Sequence, residues 1–387
     1  MDIKIPSEIL PDVTFGCGPA QGHPVARNTK LSDTSFERSH RAGDMTEKGL
    51  YKEASDNLRS VMKIPSDYTV FFYHGGATTA LDAIYWNLAT DSVSGMVLGA
   101  FSKMWCKSMV DNSGDNIKKT ILSPKEGQWI PDGELDYNAS LLLLTPNETS
   151  TGIMLSNKFL EDAWAKKGPN TLIAWDCTSC AGGRNLPADK YDALTFSLQK
   201  CFGAAGGTSV IILSPRAVAR IDEAEKARKI PYSLRLKECV EKSKKYQTLN
   251  TPSTTNIWLL NETCKWLKSI GGVEKADALC RAHAKTLFDF AAKTDYLKPM
   301  IEDENYRSYM TATFKITDPK IVDSELNSAV KKSGKANLKD GIGKYSSVKE
   351  NALRIACFPY CDVNGTEQFV KLTKTIDFIV KEMRKAQ

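Results

Sequence analysis

Lys200 and Asp176 are the two residues whose surroundings most clearly indicate chemistry. Lys200 ends the run Thr195–Lys200 and precedes the glycine-rich stretch Gly203–Gly207, whereas Asp176 follows the apolar run Thr171–Trp175. A lysine amine at a strand end can bond a bound aldehyde as a Schiff base, and a carboxylate at a neighbouring strand end can pair with a pyridinium nitrogen. The pair therefore predicts a pyridoxal phosphate enzyme. Taken singly, Asp176 could cap the next segment and Lys200 could be a surface lysine.

The glycine-rich turn His74–Ala80 is a candidate phosphate site. It follows an apolar run and opens a helical pattern over Leu81–Leu88. Glycines let backbone N–H groups approach an anion, and a helix N-terminus adds partial positive charge. The turn therefore predicts a phosphate cradle, while a plain strand-to-helix turn capped by Thr78 or Thr79 remains an open alternative. The residues match neither a Walker loop nor a dinucleotide-binding motif.

Two weaker motifs lie between these features. The polar loop Thr145–Gly152 follows an apolar run, and its hydroxyls and amide could donate to a phenolate oxygen or position a substrate carboxylate. Ordinary turn chemistry explains the same composition. Cys177 and Cys180 have a C-x-x-C spacing, but no second ligand pair with a recognised zinc pattern accompanies them. We therefore expect no metal site.

The elements that must position these residues form an α/β pattern. Apolar runs alternate with amphipathic segments through the first two thirds of the chain, which predicts a mostly parallel sheet covered by helices. Ligands collect at the carboxyl ends of the strands in such sheets. The strand candidates are Thr69–Tyr73, Gly95–Leu98, Ser140–Leu144, Thr171–Trp175, Ala193–Leu198 and Ser209–Leu213.

The last third of the chain predicts a smaller α+β domain. Helical patterns cover Asn256–Ser269 and Val273–Lys293, strand candidates follow at Tyr309–Ile316 and Ala352–Cys357, and a final helix begins near Gly365. We predict a large domain of residues 1–254 that binds pyridoxal phosphate and a small domain of residues 255–387. About the first 20 residues are expected to pack on the small domain.

Composition limits the class of protein. The 387 residues are 42% apolar and 25% charged, which is ordinary for a soluble globular protein. The net charge of +6 is spread over the surface and favours an anionic metabolite over nucleic acid. Ten cysteines without a leader or regular spacing favour reduced thiols in the cytoplasm, and no apolar run approaches the roughly 18 residues that a membrane span needs.

The chain resembles the phosphoserine aminotransferase family, a branch of the class V, fold-type I pyridoxal phosphate transaminases. Around Leu213–Val218 it is similar to the subgroup of methanogens and α-proteobacteria. The resemblance implies a seven-stranded, mostly parallel sheet and a homodimer with shared active sites. Its motifs are Phe15–Ala20, Ser39–Ala42, Gly75–Thr79, Asn147–Thr149, Trp175–Ser179, Phe196–Lys200, Leu213–Val218, Asn250–Ser253 and Leu353–Ala356.

The implied activity is reversible amino transfer between O-phospho-L-serine and 2-oxoglutarate, which gives 3-phosphohydroxypyruvate and L-glutamate in serine biosynthesis. Lys200 would carry the cofactor and move the proton, Asp176 would pair with the ring nitrogen, and Thr149 would bond the phenolic oxygen. The cofactor phosphate would be held by Gly76, Ala77, Thr78 and Gln199, with Asn250 and Thr251 reaching in from the second subunit.

The resemblance also implies the substrate contacts. Arg354 would bind the α-carboxylate as a bidentate partner, and His40 and Arg41 would meet the substrate phosphate, again from the partner chain. The substrate phosphate carries about two negative charges and the carboxylate carries one. Two arginines and a histidine would pair with these charges.

The chain departs from the family pattern at two places. Phe101 stands where the family commonly stacks a tryptophan on the cofactor, and it can still stack. The Gly-His-Arg loop that many members carry before Arg354 is replaced by Ser346–Leu353, and Lys344 or Lys349 could take over its contacts.

Two alternatives remain at this point. A different class V reaction, such as alanine–glyoxylate transamination or cysteine desulfuration, would use the same cofactor residues. A cofactor-binding protein without catalysis is disfavoured, because it would not need both Lys200 and Asp176.

Overall fold

A seven-stranded β-sheet forms the centre of the computed structural model, which describes residues 3–17, 22, 24–28, 45–114, 116–332 and 341–386. The strands in chain order are β1 (Thr69–His74), β2 (Ser92–Met96), β3 (Lys118–Leu122), β4 (Leu141–Leu144), β5 (Asn147–Glu148), β6 (Ile153–Met154), β7 (Leu172–Asp176), β8 (Ala193–Ser197), β9 (Thr208–Leu213), β10 (Leu297–Pro299), β11 (Thr311–Ile316) and β12 (Ala352–Ala356). The large sheet has the order β1-β9-β8-β7-β4-β2-β3.

Six strands of this sheet run in one direction, and β9 alone runs opposite. β3, β2, β4, β7 and β8 pair in parallel, whereas β9 pairs antiparallel with both β8 and β1. The predicted mostly parallel, seven-stranded sheet is therefore confirmed. Each of the six predicted strands is present with its ends shifted by three residues or fewer. The sequence did not predict β3, because this edge strand begins with two exposed lysines and has no long apolar run.

Both faces of the sheet are buried, since successive side chains of a strand point to opposite faces. Leu142 and Leu144 of β4 lie in one hydrophobic cluster, and Leu141 and Leu143 lie in a second. This double burial explains why the central strands read as continuous apolar runs. The sheet thus holds its strand ends in a rigid array.

Helices cover both faces of the sheet. The predicted helix over Leu81–Leu88 begins earlier, at Gly76, because the glycine turn itself forms its first turn. No helix within the described ranges is long and apolar enough to cross a membrane. The α-helices are α1 (Pro24–Asn28), α2 (Leu50–Met62), α3 (Gly76–Leu88), α4 (Ala100–Lys103), α5 (Val110–Asn112), α6 (Asn157–Lys166), α7 (Pro215–Ala227), α8 (Leu236–Ser243), α9 (Thr254–Ile270), α10 (Gly272–Ala291), α11 (Asp323–Lys332) and α12 (Glu367–Lys385).

The C-terminal third contains a second, antiparallel sheet of β10, β11 and β12. The sequence predicted two of these strands and missed β10, which has only three residues. The predicted domain boundary falls at the first turn of α9, and it stays a prediction. α9 also contacts α2, where Asn57 Nδ2 donates to Asn261 Oδ1 at 2.7 Å.

The N-terminal segment packs on the C-terminal elements. Ala356 N in β12 donates to Phe15 O at 2.9 Å, and Thr375 Oγ1 in α12 donates to Ile9 O at 2.7 Å. The rings of Phe15 and Phe369 meet edge to face, with centroids 5.0 Å apart. Residues far apart in sequence are thereby joined close to the candidate site.

Candidate active site

A cavity of about 270 Å³ lies where the like-directed strands of the large sheet end. Its walls follow the carboxyl ends of β1, β2, β4, β7 and β8 and precede the amino end of the antiparallel β9. This is the edge at which open α/β sheets bind ligands. The lining residues are Gly75, Gly76, Ala77, Thr78, Leu81, Phe101, Met104, Asn147, Thr149, Asp176, Thr178, Ser179, Ser197, Gln199, Lys200 and Gly207.

Lys200 reaches the cavity from the turn after β8. The side chain is buried, and its Nζ donates a hydrogen bond to the backbone carbonyl of Cys17 in the N-terminal segment. Burial lowers the pKa of the Lys200 ammonium, and the positive charge of Arg354 acts in the same direction. The fraction of free amine, which is the nucleophilic form, is therefore raised.

Asp176 ends β7 and is buried at the same edge. Thr178 N donates to its Oδ1 at 3.0 Å, and no lysine or arginine of the described chain is in ion-pair contact with it, although the charge of Lys200 acts to lower its pKa. Burial raises the pKa of Asp176, with the charge of Glu148 contributing to the rise and the Thr178 contact opposing it. A buried carboxylate without a cation fits a ligand that brings a protonated nitrogen.

The glycine turn forms a cradle at the start of α3. Gly75 and Gly76 have φ angles of +81° and +68°, which L-residues other than glycine rarely adopt. A Cβ atom on Gly76 would lie 3.4 Å from Ser197 Oγ, between residues that line the cavity. The first turn of α3 has no acidic side chain, so its free N–H groups suit a phosphate. Gln199 Oε1, buried beside it, has no hydrogen-bond partner among the residues that the structure describes.

The loop after β4 supplies a rigid polar wall. Asn147 Nδ2 donates to Ser179 Oγ at 2.7 Å, and Ser308 Oγ donates to Asn147 Oδ1 at 2.6 Å. These contacts hold the backbone next to Thr149, which lines the cavity. The sequence predicts this amide as a possible donor to a phenolate oxygen or a substrate carboxylate, whereas in the structure it bonds Ser179 and Ser308. No local pattern marks the contact with Ser308, which lies 161 residues away.

Phe101 also lines the cavity, and its ring contacts a tyrosine that the sequence analysis missed. The rings of Phe101 and Tyr345 have centroids 5.1 Å apart, and Arg354 Cζ lies 5.2 Å from the Tyr345 ring centroid. Tyr345 therefore connects the predicted stacking residue with the predicted carboxylate-binding arginine. Its position directly before the altered loop Ser346–Leu353 was the available signal.

Arg354 lies on β12 outside the cavity lining, although its charge is felt at Lys200. Its Nε is buried and has no hydrogen-bond partner within the described part of the chain. An unpartnered guanidinium donor near the amine of Lys200 suits a carboxylate. Lys344 is less available, because its Nζ donates to Glu350 O at 2.7 Å and lies 3.4 Å from Asp323 Oδ2.

The structure brings together most of the predicted cofactor residues but not all predicted site residues. Asn250 and Thr251 are exposed and do not line the cavity of their own chain. His40 and Arg41 lie outside the described residues. The cavity unites Gly76, Ala77, Thr78, Phe101, Thr149, Asp176, Gln199 and Lys200.

Comparison with known proteins identifies the family. The model of the family "Aminotransferase class-V" matches residues 29–361, which is most of the chain. The chain belongs to the class-V aminotransferase family. A protein of Mycobacterium avium named putative phosphoserine aminotransferase is 31% identical over 388 residues, which cover 98% of each chain. The phosphoserine aminotransferase of Rhodococcus opacus is 29% identical over 385 residues, also covering 98% of each.

Solved structures agree with this class-V aminotransferase fold. The crystal structure of a phosphoserine aminotransferase from Cytophaga hutchinsonii has a TM-score of 0.81 and 27% identity, and the match covers 94% of this chain and 98% of that one. The predicted fold-type I architecture is confirmed. Family membership also confirms the prediction of a transaminase that uses pyridoxal phosphate. The described residues contain no cluster of three or more histidine, cysteine or acidic side chains placed to hold a metal ion.

The cradle of this class-V aminotransferase can be tested with two alanine variants. Gly76→Ala and Gly127→Ala both place a side chain at a positive φ, +68° and +78°, and both should lose about 1 kcal/mol of unfolding free energy. A Cβ atom on Gly127 would have no heavy atom within 4 Å, so this variant is the matched control. We expect only Gly76→Ala to weaken pyridoxal phosphate binding, by about tenfold, as measured by fluorescence titration. Equal binding by both variants would contradict the cradle.

The lowered pKa of Lys200 predicts a pH-dependent stability. In the unfolded chain the lysine titrates near 10.5, whereas in the folded chain it titrates lower, so burying it is unfavourable below the folded pKa. This cost disappears as the pH rises to the unfolded value. Lys200→Met should therefore be more stable than the wild type at pH 7 without added cofactor, and the difference should shrink by pH 10. Urea unfolding at both pH values measures it.

The control for this prediction is Lys298→Met, which replaces an exposed lysine of β10. It reports the general effect of pH and of removing one surface charge. A stability difference for Lys200→Met that is independent of pH would show that desolvation does not dominate at this lysine.

Proposed function

We propose that this chain is a phosphoserine aminotransferase. It would transfer the amino group reversibly between O-phospho-L-serine and 2-oxoglutarate, forming 3-phosphohydroxypyruvate and L-glutamate in serine biosynthesis. The observation that carries the proposal is the meeting of Lys200, Asp176 and the glycine cradle in one cavity of a class-V aminotransferase. The names of the full-length relatives support the choice of substrate.

Lys200 would hold the cofactor and move the proton. When bound, pyridoxal phosphate supplies an electron sink for the bonds of the substrate's α-carbon. The lowered pKa of Lys200 favours its free base, which can accept a proton at that carbon and return it. The carbonyl of Cys17 orients the amine from the side of the N-terminal segment. Amino transfer in two half reactions implies ping-pong kinetics.

Asp176 and the surrounding walls would fix the ring. Asp176 would accept a hydrogen bond from the protonated ring nitrogen. This contact would stabilise the charged carboxylate and offset the free-energy cost of burying it. Phe101 would cover one face of the ring, and Thr149 would donate to the phenolic oxygen. The N–H groups of Gly76, Ala77 and Thr78, with the amide of Gln199, would hold the phosphate.

Arg354 would bind the α-carboxylate of the substrate, supported by its unpartnered Nε and its electrostatic effect on Lys200. Guanidinium and carboxylate match as a bidentate pair. His40 and Arg41 would meet the substrate phosphate, a role that rests on the family resemblance alone. Because alanine and serine lack this phosphate, these two residues would set the preference for phosphoserine.

The buried state of the cysteines supports transamination over cysteine desulfuration. All ten cysteines are buried free thiols, and none lines the cavity. A desulfurase needs a mobile cysteine that reaches the substrate, which a buried thiol in a packed core does not provide. Reduced thiols also support a cytoplasmic location.

A spectral titration tests the substrate. The enzyme loaded with pyridoxal phosphate is titrated with phosphoserine, alanine, serine and cysteine, and the loss of the visible absorbance of lysine-bound cofactor is recorded. We expect half-conversion by phosphoserine at a concentration at least about tenfold lower than by serine, because charge-assisted hydrogen bonds contribute about 1.5–3 kcal/mol. Preferential conversion by alanine or cysteine would overturn the proposal in favour of another class V reaction.

Two variants control the titration. Lys200→Ala should lack the absorbance of lysine-bound cofactor and nearly all turnover. Arg41→Leu should raise the half-converting concentration of phosphoserine far more than that of glutamate. Equal losses for both donors would argue against a phosphate role for Arg41.

We also propose a homodimer in which Asn250 and Thr251 complete the phosphate site of the partner. Their exposure in the single chain and their absence from the lining of its own cavity support this arrangement. Mixing Lys200→Ala with the double variant Asn250→Leu/Thr251→Val should restore activity, because mixed dimers contain one site with every group intact. Activity that stays at the level of the separate variants would show that the sites are not shared.

A further inference from the structure

Glu148 is a fully buried carboxylate beside the candidate active site, and it does not line the cavity. Its two oxygens accept four hydrogen bonds from only two residues. Ser102 N and Oγ each donate to Oε2 at 2.8 Å, whereas Ser150 N and Oγ donate to Oε1 at 3.0 and 2.6 Å. No lysine or arginine of the described chain pairs with it. All its partners are therefore neutral donors.

The direction of these hydrogen bonds follows from the other contacts of the serines. Ser102 Oγ accepts from Leu98 N at 2.8 Å and from Gly99 N at 3.0 Å, which occupies its acceptor positions. Ser150 Oγ accepts from Ala100 N at 2.8 Å. The Ser102 hydroxyl proton has two acceptors within reach, Glu148 Oε2 at 2.8 Å and Gly99 O at 3.2 Å, and the contact with Glu148 is the shorter. The Ser150 hydroxyl proton can point at Glu148 Oε1. Four donors around the two oxygens suit an ionised carboxylate, which only accepts hydrogen bonds.

The two serines belong to different walls of the cavity. Ser102 follows Phe101 in α4, and Ser150 follows Thr149 in the loop after β4. Thr151 adds a second link between the walls, because its Oγ1 donates to Leu98 O at 2.8 Å. Glu148 therefore joins the wall that carries Phe101 to the wall that carries Thr149.

Glu148 is tightly packed against the backbone of Gly99. A Cβ atom on Gly99 would lie 2.6 Å from Glu148 Cγ and 2.8 Å from Glu148 Cδ, so only glycine fits at the start of α4. The backbone before Phe101 lies directly on the Glu148 side chain. A change in the shape or charge of Glu148 would therefore move Phe101 and Thr149 relative to each other.

The charge of Glu148 is also felt in the cavity. It contributes to the raised pKa of Asp176, so the two carboxylates interact. Two interacting carboxylates favour a cation beside them, which the protonated ring nitrogen of bound pyridoxal phosphate would supply. An anion held by neutral donors keeps this influence, because no counter-ion cancels it.

We propose that Glu148 is a positioning residue for the cofactor, holding Phe101 and Thr149 at the spacing that grips the ring and adding negative potential behind Asp176. This inference rests on the proposed function, since it concerns pyridoxal phosphate bound in the same cavity. Outer contacts of this kind commonly change ligand affinity by about 10–100-fold, as known for the groups that orient metal ligands.

Asp192 offers a matched control. It is equally buried and also accepts from a backbone N–H and a serine hydroxyl, Ile173 N at 3.0 Å and Ser214 Oγ at 2.9 Å. Lys167 and Arg216 neutralise it, and it does not line the cavity. Asp192→Asn therefore measures what the loss of a buried carboxylate does to stability alone.

The experiment compares full-length Glu148→Gln, Ser102→Ala, Ser150→Ala and Asp192→Asn. Each variant is titrated with pyridoxal phosphate to obtain the dissociation constant, and the induced circular dichroism of the bound cofactor reports how firmly the ring is held. For Glu148→Gln we expect the dissociation constant of pyridoxal phosphate to rise about tenfold and the dichroic band to become smaller. The serine variants should shift both readouts in the same direction by less. Asp192→Asn should lower the melting temperature and leave both cofactor readouts unchanged.

Wild-type affinity and dichroism in Glu148→Gln would overturn the inference, as would an equal loss of affinity in Asp192→Asn. If Glu148→Gln does not fold, the serine variants decide, and unchanged readouts in both would overturn it. Failure of the wild type to bind pyridoxal phosphate would instead refute the proposed function. The two failures are therefore distinguishable.

Discussion

The shared direction of six strands is the constraint on which the site depends. Because these strands end at one edge, the glycine turn after β1, Asp176 at the end of β7 and Lys200 after β8 meet although they are far apart in sequence. The single antiparallel strand, β9, reaches the same edge with its amino end and places Gly207 there. Tight packing on both faces of the sheet fixes these positions, since a dry core resists small displacements.

The two central residues have opposite and complementary responses to burial. Burial lowers the pKa of Lys200 and raises the pKa of Asp176, so each is biased toward its uncharged form in the free protein. A ligand that brings both an aldehyde and a protonated nitrogen would use the free amine and restore the carboxylate charge. The folded chain therefore stores part of the free energy of binding as unfavourable desolvation, which the ligand relieves.

Local sequence patterns predict the strands, the glycine cradle, Asp176 and Lys200, because each pattern depends on neighbours in the chain. They do not reveal contacts set by tertiary packing. The patterns do not predict β3, because this edge strand carries exposed lysines. They do not select Tyr345, because only folding brings it to Phe101 and Arg354. Glu148 lies in a loop whose composition ordinary turn chemistry also explains, and only the folded structure shows that it is buried and bonded by four donors. The role proposed for Asn250 and Thr251 requires a second chain, whose position no local sequence pattern fixes.

The hydrogen bond from Lys200 to the carbonyl of Cys17 has a consequence for biosynthesis. Cys17 belongs to the N-terminal segment, whose residues Ile9 and Phe15 are held by α12 and β12. During translation the N-terminal segment emerges long before β12 and α12. The surroundings of Lys200 therefore stay incomplete until residues 352–385, which include β12 and α12, have left the ribosome.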